Sequence, residues 1–266
     1  KDNILRTQRL RIHKLVFMLK RFLFVVCVIL CLVWNVQARI INIQVSIKPI
    51  HSIVCFICKD ILKPGLLMTD QASPHTSSLT PKQLHALETA DLVIWIGPEY
   101  ESHWKNHLQQ KVPSSKILTL INAPGLNLLK YRCQNHHHEG HDHTSFDGHI
   151  WLDSYNAKII AQTIADVIIK LDPDHKHVYE KNLSEFLDQL RVLEKELREN
   201  LVPVKGKTYL IYHDGLQYFD QYFGLNMEAC LVADLDLPPN AGDLMNLKQR
   251  LAQMPADQRP KCVFTE

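Results

Sequence analysis

From residue 40 onward, short apolar runs suited to strands alternate with amphipathic stretches suited to helices. That alternation constrains the fold most, because strand–helix–strand units build mainly parallel sheets in α/β layers. Residues 40–45 read as a β-branched strand, followed by a helix to Lys63 that Pro64-Gly65 stops. Thr80-Pro81-Lys82-Gln83 starts a helix, with a capping threonine, proline at the first helical position and glutamine completing a capping box. Strands are expected at 92–96 and 116–120, with a helix over 99–110 between them. Residues 122–147, rich in Gly, His, Asn and Asp, lack core periodicity and read as a loop. A helix over 153–171 precedes one of about 25 residues that begins at Asp172-Pro173. Its stripe of Leu183, Phe186, Leu187, Leu190, Leu193 and Leu197 reads as a core-facing surface rather than a coiled coil. Strands over 208–212, 227–232 and 262–265 then alternate with helices over 214–223 and 242–254. Two α/β lobes joined by one long helix is the simplest architecture.

The N-terminal segment reads as an export signal. Met18-Leu19-Lys20-Arg21 is basic, residues 22–34 are unbroken apolar, and Val36-Gln37-Ala38 supplies a small-residue cleavage pattern. Cleavage is expected after Ala38, with residues 1–17 lying upstream of the start at Met18. An uncleaved anchor is the alternative, disfavoured because the run is short for a membrane span. Cys31 lacks the preceding small residues of a lipoprotein signal. Residues 1–38 carry seven Lys/Arg and one Asp, so the chain's net +2 becomes −4 beyond them. A mildly acidic exported chain without a basic stripe points away from nucleic acid. Five cysteines follow Ala38, and the odd count implies a free thiol or a missing partner. Cys55 and Cys58 have CxxC spacing inside an apolar helix, where buried thiols are the better reading than a redox or zinc motif. The chain stops on the apolar run at 262–265, which reads as a core strand. The expected organisation is therefore 1–38 upstream and signal, 39–171 first lobe with a histidine-rich loop at 134–147, 172–200 linker helix, and 201–266 an incomplete second lobe.

Three histidines stand in distinctive stretches: Ser73-Pro74-His75, Gly148-His149-Ile150-Trp151 and Tyr212-His213-Asp214. Each falls near an element's end, and His213 follows a strand, where α/β folds place ligands. Alone, each is more often a solvated or capping residue; together, three neutral imidazoles make a zinc site. His85, His103, His107, His175 and His177 read as helix-surface or turn residues. The tract at 136–143 adds His136, His137, His138, His141 and His143 with two acids interleaved, a composition that binds borderline metals weakly. There is no HExxH, GxSxG or P-loop, and no general base placed to serve a three-histidine site. Binding is favoured over catalysis, with an exported zinc hydrolase or a zinc buffer as alternatives.

The ordered motifs resemble those of the metal-binding solute-binding proteins of ABC importers for zinc, manganese and iron. They are Ser46-Ile47-Lys48-Pro49-Ile50, Ala72-Ser73-Pro74-His75, Leu79-Thr80-Pro81, Ala90-Asp91-Leu92 through Glu99, His149-Ile150-Trp151-Leu152, His213-Asp214 and Cys262-Val263-Phe264. The resemblance implies two α/β lobes on a rigid helix with the metal between them. His75 and His149 would come from the first lobe and His213 from the second. Manganese and iron members usually carry a carboxylate where His213 stands, and nitrogen ligands suit zinc. The histidine-rich loop is also typical of the zinc branch, so Zn²⁺ is the expected cargo, with manganese or iron as the variant. Pro74 stands where some zinc members have an acid, and the family's last ligand-position acid falls beyond Glu266. A fourth ligand would thus be water or a residue outside this sequence. The implied protein is a periplasmic monomer that delivers zinc to a membrane permease.

Overall fold

Parallel pairing of β1 (Ile43–Val45) with β3 (Leu92–Trp95) forms the centre of the first lobe, in register Ile43 to Leu92 and Val45 to Ile94. In this computed structural model the described residues are 17–21, 40–68, 78–132, 146–232, 239 and 241–265. The expected signal run at 22–34, its cleavage site and Cys31 lie outside them. Residues 17–21 are helical and belong to a separate unit ending at Ile40, whereas Ile41 onward forms one compact unit. No helix among the described residues is long and apolar enough to cross a membrane.

The first sheet has four parallel strands in the order β2-β1-β3-β4, with β2 at Gly65–Leu66 and β4 at Ile117–Thr119. All four residues of β3 are buried, as a strand covered on both faces requires. Helix α1 (Lys48–Ile57) buries Ile50, Ile53, Val54 and Ile57, and α4 (Ser154–Leu171) buries Ile160, Ile164 and Ile168. The capping box of α2 (Pro81–Thr89) forms as its sequence predicts: Thr80 Oγ1 accepts the Gln83 N–H, and Gln83 Oε1 accepts the Thr80 N–H.

Two helix boundaries depart from the sequence reading. Helix α1 ends at Ile57, not Lys63, because Asp60 adopts a positive φ of 70° and Asn182 of a distant helix donates to the carbonyls of Ile57 and Lys59, at 3.0 Å each. The freed chain contributes β2, which sequence patterning does not reveal. The helix read over 99–110 is α3 (Lys105–Lys111) preceded by a single 3-10 turn. The chain is folded back there by Glu101, whose buried carboxylate accepts the N–H groups of Ile96 and Gly97.

Helix α5 (Lys176–Asn200) is 25 residues long. Its first half packs on the first lobe: Tyr179 and Asn182 are buried, and Phe186 meets Phe56 edge-on at 5.6 Å. The second half is more open: Leu193 is 49% exposed, while Leu197 is half-buried and Arg198 lies over the Tyr222 and Phe223 rings of the second lobe, so the leucine stripe faces the first lobe's core over only part of its length. Ion pairs four residues apart, such as Arg198 with Glu194, support the rest. The second lobe is a parallel sheet in the order β6-β5-β7, formed by β5 (Thr208–His213), β6 (Asn226–Val232) and β7 (Val263–Phe264). Helices α6 (Gln217–Phe223) and α7 (Ala241–Gln253) intervene. Among the described residues β7 pairs in parallel with β5, in register Leu210 to Val263 and Ile211 to Phe264, as the strand read over 262–265 requires.

Glu101 gives this lobe a pH dependence. Burial pushes its carboxyl up to about 7, against the pull of the backbone amides it accepts. The folded protein holds this proton where the unfolded chain releases it, so this group's contribution makes stability fall as pH rises from 4.5 to about 7. Glu101→Gln is expected to remove that slope and to lower stability by about 1–3 kcal/mol, since its amide sets a donor against a backbone N–H. Urea midpoints measured across the same pH range check this; an unchanged slope would assign it to another group.

Candidate metal centre

His149 and His213 converge from different lobes. His213 is the last residue of β5, at the carboxyl end of a parallel strand, and His149 opens the 3-10 turn Ile150–Leu152 ahead of α4. Both are buried, at 6% and 5% exposure. Their ring centres lie 5.4 Å apart with planes inclined at 56°. Two imidazoles bound through nitrogen to one tetrahedral zinc, at Zn–N of about 2.0–2.1 Å, have ring centres about 5 Å apart. The observed spacing fits that geometry.

The His149 ring is held from behind. Asp147 Oδ1 accepts its backbone N–H at 2.9 Å and lies 2.7 Å from Nδ1. A carboxylate fixes the proton on Nδ1 and directs the Nε2 lone pair the other way, the tautomer that a metal ligand needs. Asp147 is fully buried, and its Oδ2 has no hydrogen-bond partner among the described residues. Tyr100 meets the His149 and Trp151 rings edge-on at 5.0 and 5.2 Å. Gly148 permits that approach: a Cβ there would sit 2.6 Å from the Cβ of Tyr100. From the second lobe, Tyr218 donates its hydroxyl to the Asp147 carbonyl and accepts the Leu129 N–H, tying α6 to this segment.

His75 lies outside the described residues, as do His136, His137, His138, His141 and His143. The structure thus brings together two of the three main candidates. Among the described residues no group of three or more His, Cys, Asp or Glu could hold a metal. His85, His103 and His177 are exposed, and His175 pairs with Asp172, in keeping with their surface reading. Cys58 is buried, with its thiol pushed up to about 12 by burial, and both it and Cys55 are free thiols, so the CxxC spacing marks packing. Cys262 is a free thiol as well, whereas Cys230 is disulfide-bonded. Sequence reasoning missed Asp147; the signal available was a carboxylate two residues before a candidate ligand.

The family model for the periplasmic component A of the zinc-uptake complex, ZnuA, matches residues 43–266. The chain belongs to that family. The high-affinity zinc uptake system protein ZnuA of Brucella abortus is 30% identical over 259 residues, covering 85% of this chain and 76% of the relative. Its namesake from Yersinia pestis is 32% identical over 239 residues, covering 83% and 74%. A crystal structure of ZnuA superposes with a TM-score of 0.68 at 28% identity, over 80% of this chain and 78% of the other. A zinc-bound internal deletion mutant of ZnuA gives 0.68 at 26% identity, over 85% and 90%. The periplasmic zinc-binding protein TroA of Treponema pallidum, 19% identical with a TM-score of 0.69 over 84% and 77%, shares the fold. Membership of a solute-binding transport family agrees with binding over catalysis, and makes this protein a zinc-binding component of an ABC importer.

Replacing Asp147 should expose its part. Asp147→Asn is expected to weaken zinc binding about tenfold or more, since orienting partners of metal-bound histidines typically contribute 10–100-fold. Competitive titration against a fluorescent chelator measures it, and unaltered affinity would show that Asp147 merely packs.

Proposed function

We propose that this protein captures Zn²⁺ in the periplasm through His75, His149 and His213 and hands it to the membrane permease of an ABC importer, acting as a monomer without catalytic turnover. The observation that carries the reading is the convergence of two buried imidazoles from opposite lobes at a zinc-compatible spacing, one oriented by a carboxylate. Ligands drawn from both lobes make retention of the ion depend on how the lobes sit, and a change in that disposition provides a route to release. An N-terminal signal cleaved after Ala38 directs export. His136, His137, His138, His141 and His143 act as a weak collector that feeds the tighter site. Nitrogen donors favour zinc over manganese, which prefers oxygen-rich sites. Acid competes with zinc for the imidazole lone pairs, so affinity falls as pH drops.

Metal titration of the mature protein tests this, beside a variant with His75, His149 and His213 all changed to Ala and one lacking residues 135–143. One tight zinc equivalent should vanish in the first variant, persist in the second, resist displacement by manganese and weaken in acid. Tight binding that survives the triple substitution, or is lost with the deletion, would overturn the assignment.

A further inference from the structure

The residue after His213 is an aspartate held by an arginine of the other lobe. Arg132 Nε donates to Asp214 Oδ2 at 2.7 Å and its Nη2 to Asp214 Oδ1 at 2.8 Å, a two-pronged ion pair; Nη2 also reaches Asp220 of α6. Asp214 and Asp220 are buried, at 7% and 1% side-chain exposure, and Asp220 also accepts the Tyr209 hydroxyl from β5. Arg132 is itself rooted in the first lobe. Its segment is fixed to α4 by reciprocal bonds between Asn127 and Asn156, and to the loop after β3 by the Tyr131 hydroxyl on the Glu99 carbonyl. Gln217 of α6 donates to the Lys130 carbonyl on the same segment. A rigid guanidinium anchored in one lobe therefore grips the backbone position next to the candidate ligand of the other.

We propose that Arg132 is a positioning residue for zinc capture: through Asp214 it sets where His213 stands relative to His149. This rests on His213 being a ligand. The guanidinium is suited to the task because both prongs are fixed in one plane; a lysine ammonium keeps the charge but cannot reproduce the fork. With Asp214 held at two oxygens, the turn leaving β5 cannot rotate without breaking a part-buried, two-pronged ion pair, so the His213 ring is aimed before zinc arrives. Pre-set geometry of this kind raises affinity because less ordering remains for binding to impose.

A double-mutant cycle tests the idea in the mature protein. Zinc affinity is measured by competition for wild type, Arg132→Lys, His213→Ala and the double variant, with circular dichroism reporting the apo fold. Arg132→Lys is expected to weaken zinc about tenfold when His213 is present and to have little further effect when it is absent. Equal losses in both backgrounds would make Arg132 a general brace between the lobes, and no loss at all would likewise overturn the proposal. If Arg132→Lys does not fold, Asp214→Asn, which sets an amide against the guanidinium, runs the same cycle from the other partner. His213→Ala that leaves affinity intact would instead sink the ligand assignment, a result the cycle separates from failure of the positioning role.

Discussion

Parallel strands cannot be joined by a tight hairpin; each pair needs a crossover, and every crossover returns the chain to the same end of the sheet. Both lobes obey this constraint. In the first it aligns β1, β3 and β4, so that the loop after β3, carrying Tyr100 and Glu101, emerges at their carboxyl ends. In the second it leaves His213 as the last residue of β5. Binding residues then need no special loop to reach a crevice: strand direction delivers them there.

Buried polar groups hold those ends in place. Glu101 ties the start of its loop to the end of β3, Asp147 fixes the His149 imidazole, and Asp220 is shared by Arg132 and Tyr209. A buried carboxyl group is costly in an apolar interior, and the donors that each of these accepts from offset part of that cost. Hydrogen bonds also cross the boundary between the lobes, from Arg132 to Asp214, from Gln217 to the Lys130 carbonyl and from the Leu129 N–H to the Tyr218 hydroxyl. The Arg132 fork and the His149–Asp147 pair thus belong to one network around the two imidazoles.

The long helix shows how far patterning carries. Its length of 25 residues agrees with its periodicity, yet the leucine stripe faces a core only where α1 and α4 lie beneath it. At Leu193 the same spacing meets solvent, and charged pairs such as Arg198 with Glu194 support the helix there. The run ending at Phe264 is likewise legible as a strand, whereas its pairing with β5 is not. In both cases the hydrophobic period fixes local conformation, while burial and pairing depend on neighbours that the period does not name.

The sequence by itself determined the α/β layering, the capping box at Thr80, the long connecting helix and the candidacy of His149 and His213, because these are written in local periodicity, turn chemistry and residue type. Only the tertiary structure decided that α1 stops at Ile57, that Asp147 orients an imidazole, and that Arg132 reaches Asp214 across 82 positions of chain. Those outcomes depend on which groups meet once the sheets are covered. A carboxylate or guanidinium carries no local mark of the partner that burial will require it to find.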